Sequence, residues 1–556
     1  MPRGRTIAIT SAAVVLLAGA GAGGAYYLLR TQGTPQQTAE SFVRAWSRGD
    51  TAAMRAQLAD PTVKFTAVYD GIAKNLGVRA TEVRITGVTE NGDDRATAGY
   101  TATLTLGEAG RWSYQGSLDL VVKDRRWKVD WSPRAAHPAL DGTNRLALKT
   151  TWPDRAAITD AKGNRIDGAD VGGSIQQLVG YIGKADDKDV ARLGPPYRKG
   201  DPVGKAGLQA TFQERLAGTP STSIEVVGAD GKAAKTLGTI KGRKGEPLRT
   251  TLDLTVQEAA VKAVQGLDKP TSIVAIQPST GGILAVVNNR GGFNRALDGA
   301  YPPGSTFKTV TAAALLAEGV TPEQRVSCPK NAIVGGLKIR NSENAAYGTV
   351  SFLDSFAHSC NTTIAPLAAK HLSAEKLYEA ASWFGFNQQL TIGVPAAKAS
   401  MPKAQSDAEL AAESFGQARI TASPLVMAGV AAAVADGTWR PPKLVTSPSS
   451  PDPTAEVPHP KATAPVTLDR DVVSKLRAMM RQGVKSGSAK AAAAGRDPVY
   501  GVAAEVTHTE KKQSTQLSWF IGWQGDLAVA VLVKKGDPAA AAAVAGSFFA
   551  AARSAA

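Results

Sequence analysis

The chain has 556 residues, too many for one hydrophobic core, so roughly three or four domains are expected. Its 64 Lys and Arg against 48 Asp and Glu give a formal net charge of +16, which suits an anionic surface such as phospholipid heads or acidic wall polymers. Nucleic acid is excluded as the partner, because no basic helix with base-reading residues and no aromatic-studded basic sheet occurs.

Residues 1–5 form a short basic tail with Arg3 and Arg5, and an uncharged run, 6–29, follows until Arg30. That run is long enough to span a bilayer as one helix. The expectation is an uncleaved single-pass anchor in the cell membrane, with the tail in the cytoplasm and the bulk of the chain extracytoplasmic. A cleaved, Ala- and Gly-rich signal peptide is the competing reading.

Past the anchor, 34–140 reads as a small α+β domain. Phe42, Val43 and Trp46 stand at helical spacing in 38–46, and 51–58 continues in that style. Strands are expected at 95–106, 110–122 and 127–131, each alternating apolar and polar residues. Helices followed by a curved antiparallel sheet resemble the cone-like nuclear transport factor 2-like fold. The segment 147–247 turns Gly-, Lys- and Asp-rich, with a strand, turn and strand expected over 156–166, as in a linker or β-rich pedestal.

From 248 to 556 the chain reads as one α/β domain, an antiparallel sheet with a helical subdomain beside it. Two strands joined by a turn occupy 272–287, a second hairpin occupies 518–533, and the Ala-rich 538–552 is expected as a terminal helix on that sheet. The proline-rich stretch 441–465 is expected as an exposed extended loop.

Within this domain 302–308 reads Pro-Pro-Gly-Ser-Thr-Phe-Lys and runs into the helix-favouring 309–318. Positions three apart on a helix share a face, so Lys308 can reach the Ser305 hydroxyl where free amides and positive potential gather. That arrangement suits a serine nucleophile with a lysine base, provided an enclosed pocket lowers the lysine pKa. The alternative is Ser305 as a plain helix cap. Ser327 and Lys330 repeat the spacing, but Pro329 and the residues after it give no helix to carry them.

A second group, Ser359-Cys360-Asn361, follows the helical run 352–358. Its hydroxyl can relay a proton between Lys308 and a leaving group, and its carboxamide can bond a peptide substrate's backbone. The alternative is a helix C-terminal turn, and Ser342-Glu343-Asn344 shows that the pattern also arises by chance. Cys328 and Cys360 suit an exported chain in which they pair, with buried or free thiols as the alternative.

Residues 301–308, 359–361, 415–428 and the Trp-Phe-Ile-Gly of 519–522 resemble the penicillin-binding transpeptidases. With the anchor and the amino-terminal domain, the whole chain is similar to class B members that carry a nuclear transport factor 2-like domain. The resemblance implies a pedestal or dimerisation domain for 147–247 and an enzyme that cross-links peptidoglycan stem peptides. Ser305 would attack the penultimate D-Ala carbonyl and release D-Ala, and a second stem's amine would resolve the acyl-enzyme. A β-lactam would be trapped on the same serine, and no metal or organic cofactor is called for.

One departure stands out. Where the family carries Lys-Thr-Gly on a strand beside the nucleophile, the register here places Glu505, Val506 and Thr507, followed by His508. Glu505 is expected to repel a terminal carboxylate and Thr507 to crowd it, while the His508 N–H can still serve an oxyanion. Lys512-Gln513-Ser514 lies too close to Trp519 to supply a separate strand, and His508 and Lys511 stand as substitute cations or as a solvated turn. The loss argues for a second class, a non-catalytic relative that scaffolds a membrane glycosyltransferase; a third class is a β-lactam-hydrolysing or β-lactam-sensing protein. The long amino-terminal extension and single span disfavour the last.

Overall fold

The computed structural model describes residues 31–447, 463–510 and 513–555. The tail 1–5, the anchor 6–29, most of 441–465, Lys511 and Lys512 lie outside the described residues. Among those described, no helix is long and apolar enough to cross a membrane. They fall into two compact units, 31–154 with 194–197 and 218–244, and 155–193 with 198–217 and 245–555.

In the first unit, α1 (Pro35–Arg48) begins where Thr34 accepts from the Gln37 amide and Gln37 accepts from the Thr34 amide. It ends at Gly49, whose φ of 69° lets the chain leave the last turn. Then come α2 (Thr51–Ala56), α3 (Thr66–Leu76) and a four-stranded antiparallel sheet in the order β1 (Val78–Glu90), β2 (Arg95–Leu106), β3 (Arg111–Lys123), β4 (Arg126–Val129). Every second residue of β2 is buried, as a half-covered sheet requires. Trp46 of α1 meets Tyr69 and Tyr100 edge-on at 5.0 and 5.4 Å, joining helix and sheet. Helix α3 and strand β1 are elements that the sequence reading did not separate out. Register irregularities at Val78/Ala80 and Ile85/Gly87 break the period of two along β1, and most of its side chains are exposed.

The segment 147–247 is shared between the units. Its strands β5 (Arg145–Thr151), β6 (Ser221–Val227) and β7 (Ala233–Ile240) make a second antiparallel sheet in the first unit. The short helices Gly173–Val179 and Gln213–Ala217 belong to the second. Of the hairpin expected over 156–166, only Ile158–Thr159 is a strand, paired in parallel with Leu248–Thr250, and Arg165 closes a single bridge to Thr159. Asp160 accepts from the Lys162 and Asn164 amides, which spends the segment on a turn.

The second unit is built on a five-stranded antiparallel sheet. Its members are β8 (Thr271–Ile276), β9 (Ile283–Asn288), β10 (Tyr500–Glu510), β11 (Gln513–Gln524) and β12 (Leu527–Lys534), in the spatial order β9-β8-β12-β11-β10. Gln513 and Ser514 are already part of β11, as their closeness to Trp519 required. On one face, α4 (Leu254–Val264) and α10 (Ala540–Ala555) bury Val264, Phe548 and Phe549 against Phe520 and Val531. On the other lie α5 (Lys308–Ala317) and α8 (Pro424–Asp436), with α6 (Phe352–Ala357), α7 (Asn361–His371) and α9 (Arg470–Lys485) around them. Every residue of α5 from Lys308 to Leu316 is buried, and so is every residue of α8 from Pro424 to Val434. Helices without a wet face belong in the middle of a fold, and the turn Gly304–Phe307 just before α5 packs against the edge strand β10.

Candidate active site

The turn that presents Ser305 is held from several sides. The Gly304 amide donates to Gly416 O at 3.0 Å, Tyr301 exchanges backbone bonds with Ala422, and Trp519 Nε1 donates to Pro302 O at 3.0 Å. Gly304 has a φ of 55°, and a Cβ there would lie 2.9 Å from Val506 Cβ. A Cβ on Gly416 would lie 2.0 Å from Gly304 O. Neither position has room for a side chain. Ser305 therefore sits on a tight 3-10 turn, Gly304–Phe307, and the α-helix starts only at Lys308. The expected shared face survives, since residues three apart on a 3-10 turn nearly eclipse.

Lys308 is 2% exposed, and burial drives its amine well below the ordinary value of 10.5. Its Nζ donates to Ser359 O at 2.6 Å and to Ser359 Oγ at 3.1 Å. In a neutral amine those two bonds use both hydrogens and leave the lone pair for a proton. The Ser305 hydroxyl donates to Asn361 Oδ1 at 3.4 Å, and Asn361 Nδ2 donates to Arg340 O at 2.9 Å. The carboxamide read from sequence as a grip on substrate backbone thus faces the nucleophile with its oxygen and is tied back by its nitrogen.

Ser359 lies between α6 and α7 with φ at 59°, a conformation rare for a side chain of this kind. The next residue, Cys360, is joined to Cys328 by a disulfide with Cα atoms 6.0 Å apart, which resolves the pairing that sequence left open. Ser327 and Lys330 are both exposed, and neither is on a helix.

A cavity of about 390 Å³ opens at Ser305 and Ser359. Its wall also carries Glu343, Tyr347, His358 and Glu505, with the Tyr347 and His358 rings stacked at 4.2 Å. Of the four positions read as a degenerate third motif, only Glu505 lies on this wall. Val506 is buried beneath Gly304, Thr507 Oγ1 donates to Gln516 Oε1 at 3.2 Å, and His508 stands edge-on to Tyr301 at 5.7 Å. Burial raises the Glu505 carboxyl, and the charges of Glu343 and Asp537 raise it further. Sequence reasoning passed over Glu343 and His358, although His358 adjoins Ser359 and Glu343 is the middle of the chance Ser-x-Asn copy.

A serine one 3-10 turn before a lysine whose amine burial pushes well below its ordinary value, with a second hydroxyl bonded to that lysine, has the parts for acyl transfer through a covalent ester. The fold and this pairing define a serine acyltransferase. The family described as penicillin binding protein transpeptidase domain matches 271–553. The NTF2-like N-terminal transpeptidase domain matches 34–144 and the penicillin-binding protein dimerisation domain matches 170–250. The peptidoglycan D,D-transpeptidase PbpA of Mycolicibacterium smegmatis is 30% identical over 340 residues, covering 53% of this chain and 68% of its own. PBP2 of Pseudomonas aeruginosa, solved in complex with WCK 5153, shares the fold with a TM-score of 0.60 at 24% identity, over 73% of this chain and 96% of its own. PBP2 of Helicobacter pylori, solved in complex with MreC, does so with a TM-score of 0.60 at 15% identity, over 73% and 98%. The chain belongs to the penicillin-binding transpeptidases, the serine enzymes that cross-link peptidoglycan.

Proposed function

We propose that the chain is a class B D,D-transpeptidase working on the outer side of the cell membrane, held there by 6–29, with Glu505 altering which ligands its cleft admits. The observation that carries the chemistry is Lys308, buried, with its amine pushed well below its ordinary value, and bonded to Ser359. Ser305 Oγ bonds to the penultimate D-Ala carbonyl carbon as its proton passes to Lys308 Nζ. The tetrahedral oxyanion is stabilised by backbone amides, the Ser305 N–H among them, each such donor being worth about 3 to 4 kcal/mol. Collapse breaks the peptide bond, and the proton travels from Lys308 by way of the Ser359 hydroxyl to the departing D-Ala amine. The amine of a second stem then attacks the ester, and the same groups run in reverse.

The exposed setting of the disulfide-bearing domain is supported by Cys328–Cys360, a bond suited to an oxidising compartment. A membrane glycosyltransferase is the partner proposed, and the assembly of the Helicobacter pylori relative with MreC supports a role inside a larger wall machine. Loss of the Lys and Thr that hold a terminal carboxylate is expected to weaken penicillin acylation more than acylation by carboxylate-free donors.

The test is to incubate the full chain, in detergent, with a labelled penicillin and with a stem-peptide thioester, and to locate adducts by mass spectrometry. A thioester adduct on Ser305 that is absent in Ser305→Ala is the expected result. Absence of any adduct from either reagent would leave only the non-catalytic scaffold.

A further inference from the structure

A donor that releases D-Ala carries a free carboxylate on the departing residue, next to the bond that Ser305 breaks. Glu505, from the edge strand β10, shares the cavity wall with Ser305 and Ser359 and is half-buried. No lysine or arginine lines that wall among the described residues, and no hydrogen bond or cation among them offsets the Glu505 carboxyl. Ser518 is its partner on β11, the turn Gly304–Phe307 carries no charge, and Arg481 of α9 is bonded to Val499 O. Across the cavity stand Tyr347, exposed Glu343 and His358, whose ring is stacked on Tyr347, while Asp537 lies 3.6 Å from Lys269. Burial is the largest reason that the Glu505 carboxyl holds a proton more readily than usual.

Two carboxylates are costly to ionise together in a half-buried site, but one proton between them turns repulsion into a short O–H···O⁻ hydrogen bond. We propose that Glu505 admits the donor's terminal carboxylate by sharing one proton with it, so that carboxylate-bearing donors enter the cleft together with a proton from water. This rests on the transpeptidase reading and names how its donor is held. Water supplies the proton on binding, the Glu505 carboxyl donates it to an oxygen of the substrate carboxylate, and it returns to water when the departing part leaves. That proton takes no part in acyl transfer, where the serine proton ends on the departing atom. Repulsion by Glu505 thus holds only where pH leaves the pair without its proton.

Two thioesters with one common acyl group test it, their departing thiols being mercaptoacetate, which ends in a carboxylate, and mercaptoacetamide, which is neutral. Adduct formation on Ser305 of the full chain, in detergent, is timed by mass spectrometry from pH 5.5 to 7.5. Each rate is divided by that reagent's reactivity toward hydroxylamine at the same pH, and the ratio of the two reagents cancels the ionisation of Lys308, which both need. The ratio of mercaptoacetate to mercaptoacetamide should fall by about tenfold or more over that range, since uptake of one proton gives up to about tenfold per pH unit. In Glu505→Gln, whose amide donates at every pH, the ratio should be flat and should exceed the parent's at pH 7.5. Glu505→Ser, run beside it, should be flat as well. A ratio that does not fall in the parent overturns the shared proton and leaves the transpeptidase standing. So does one that falls as steeply in either variant, which would assign the titration to another group such as His358. Failure of the parent to form an adduct with either reagent overturns both readings.

Discussion

Burial pushes the Lys308 amine well below its ordinary value, so the unfolded chain binds the proton more readily than the folded one. Stability contributed at this position rises with pH until the unfolded lysine also loses its proton. Acylation of Ser305 should therefore climb with pH through one ionisation well below 10.5. Lys308→Met should slow acylation by about 10² to 10⁴ without lowering the melting temperature, read by adduct formation and thermal denaturation. Glu413 is the opposite case. Its side chain is 0% exposed, both oxygens lack hydrogen-bond partners among the described residues, and burial, with Glu409, pushes its pKa up from 4.5 to about 7. A raised carboxyl gives stability that is complete below 4.5 and is lost as pH climbs toward 7. Glu413→Gln should accordingly melt higher than the parent at pH 8 and nearly level with it at pH 5; a gap that does not grow with pH would refute this.

At the scale of elements, the nucleophile's turn depends on two glycines as much as on the serine. Gly304→Ala would put a Cβ 2.9 Å from Val506 Cβ on a backbone with φ at 55°, and should cost about 1–3 kcal/mol in chemical denaturation and slow acylation as well. The disulfide ties the strand Arg325–Cys328 to the start of α7 across 32 residues. Replacing both cysteines by alanine should lower stability by about 2–4 kcal/mol, checked by urea unfolding under non-reducing conditions. Much of this architecture was legible. The strand pairs of the large sheet announced themselves by apolar runs with turn residues between them, and Ser305 with Lys308 by their spacing at a helix start. Gly304 was legible only as a letter, because the space its Cβ would need is taken by Val506, which is far from it in the chain. Glu343 gave no signal at all, since a loop residue becomes part of a wall only when a distant strand arrives opposite it. Likewise β1 was hidden by its own bulges, and the short return after Asp160 looked like a strand because alternation alone cannot count ladder partners.

Across the whole molecule, the charge of +16 is a property of no single site. Retention of the detergent-solubilised chain on anionic wall polymer should fall steeply as salt rises from 0.05 to 0.5 M, measured by co-sedimentation, while retention indifferent to salt would remove charge as the cause. The chemistry is concentrated differently, since Ser305, Lys308, Ser359, Asn361 and Glu505 all lie in the second unit. At the heart of that unit, α8 has its residues buried all the way round, whereas α9 buries Val472, Val473, Leu476, Met479 and Met480 and leaves Arg470, Asp471, Ser474 and Ala478 exposed. The two helices would consequently leave different traces in a saturation-substitution experiment. Tolerance along α9 should rise and fall every three or four residues, but along α8 it should stay low without rhythm, so that variation among descendants of this sequence could drift around one helix and scarcely touch the other.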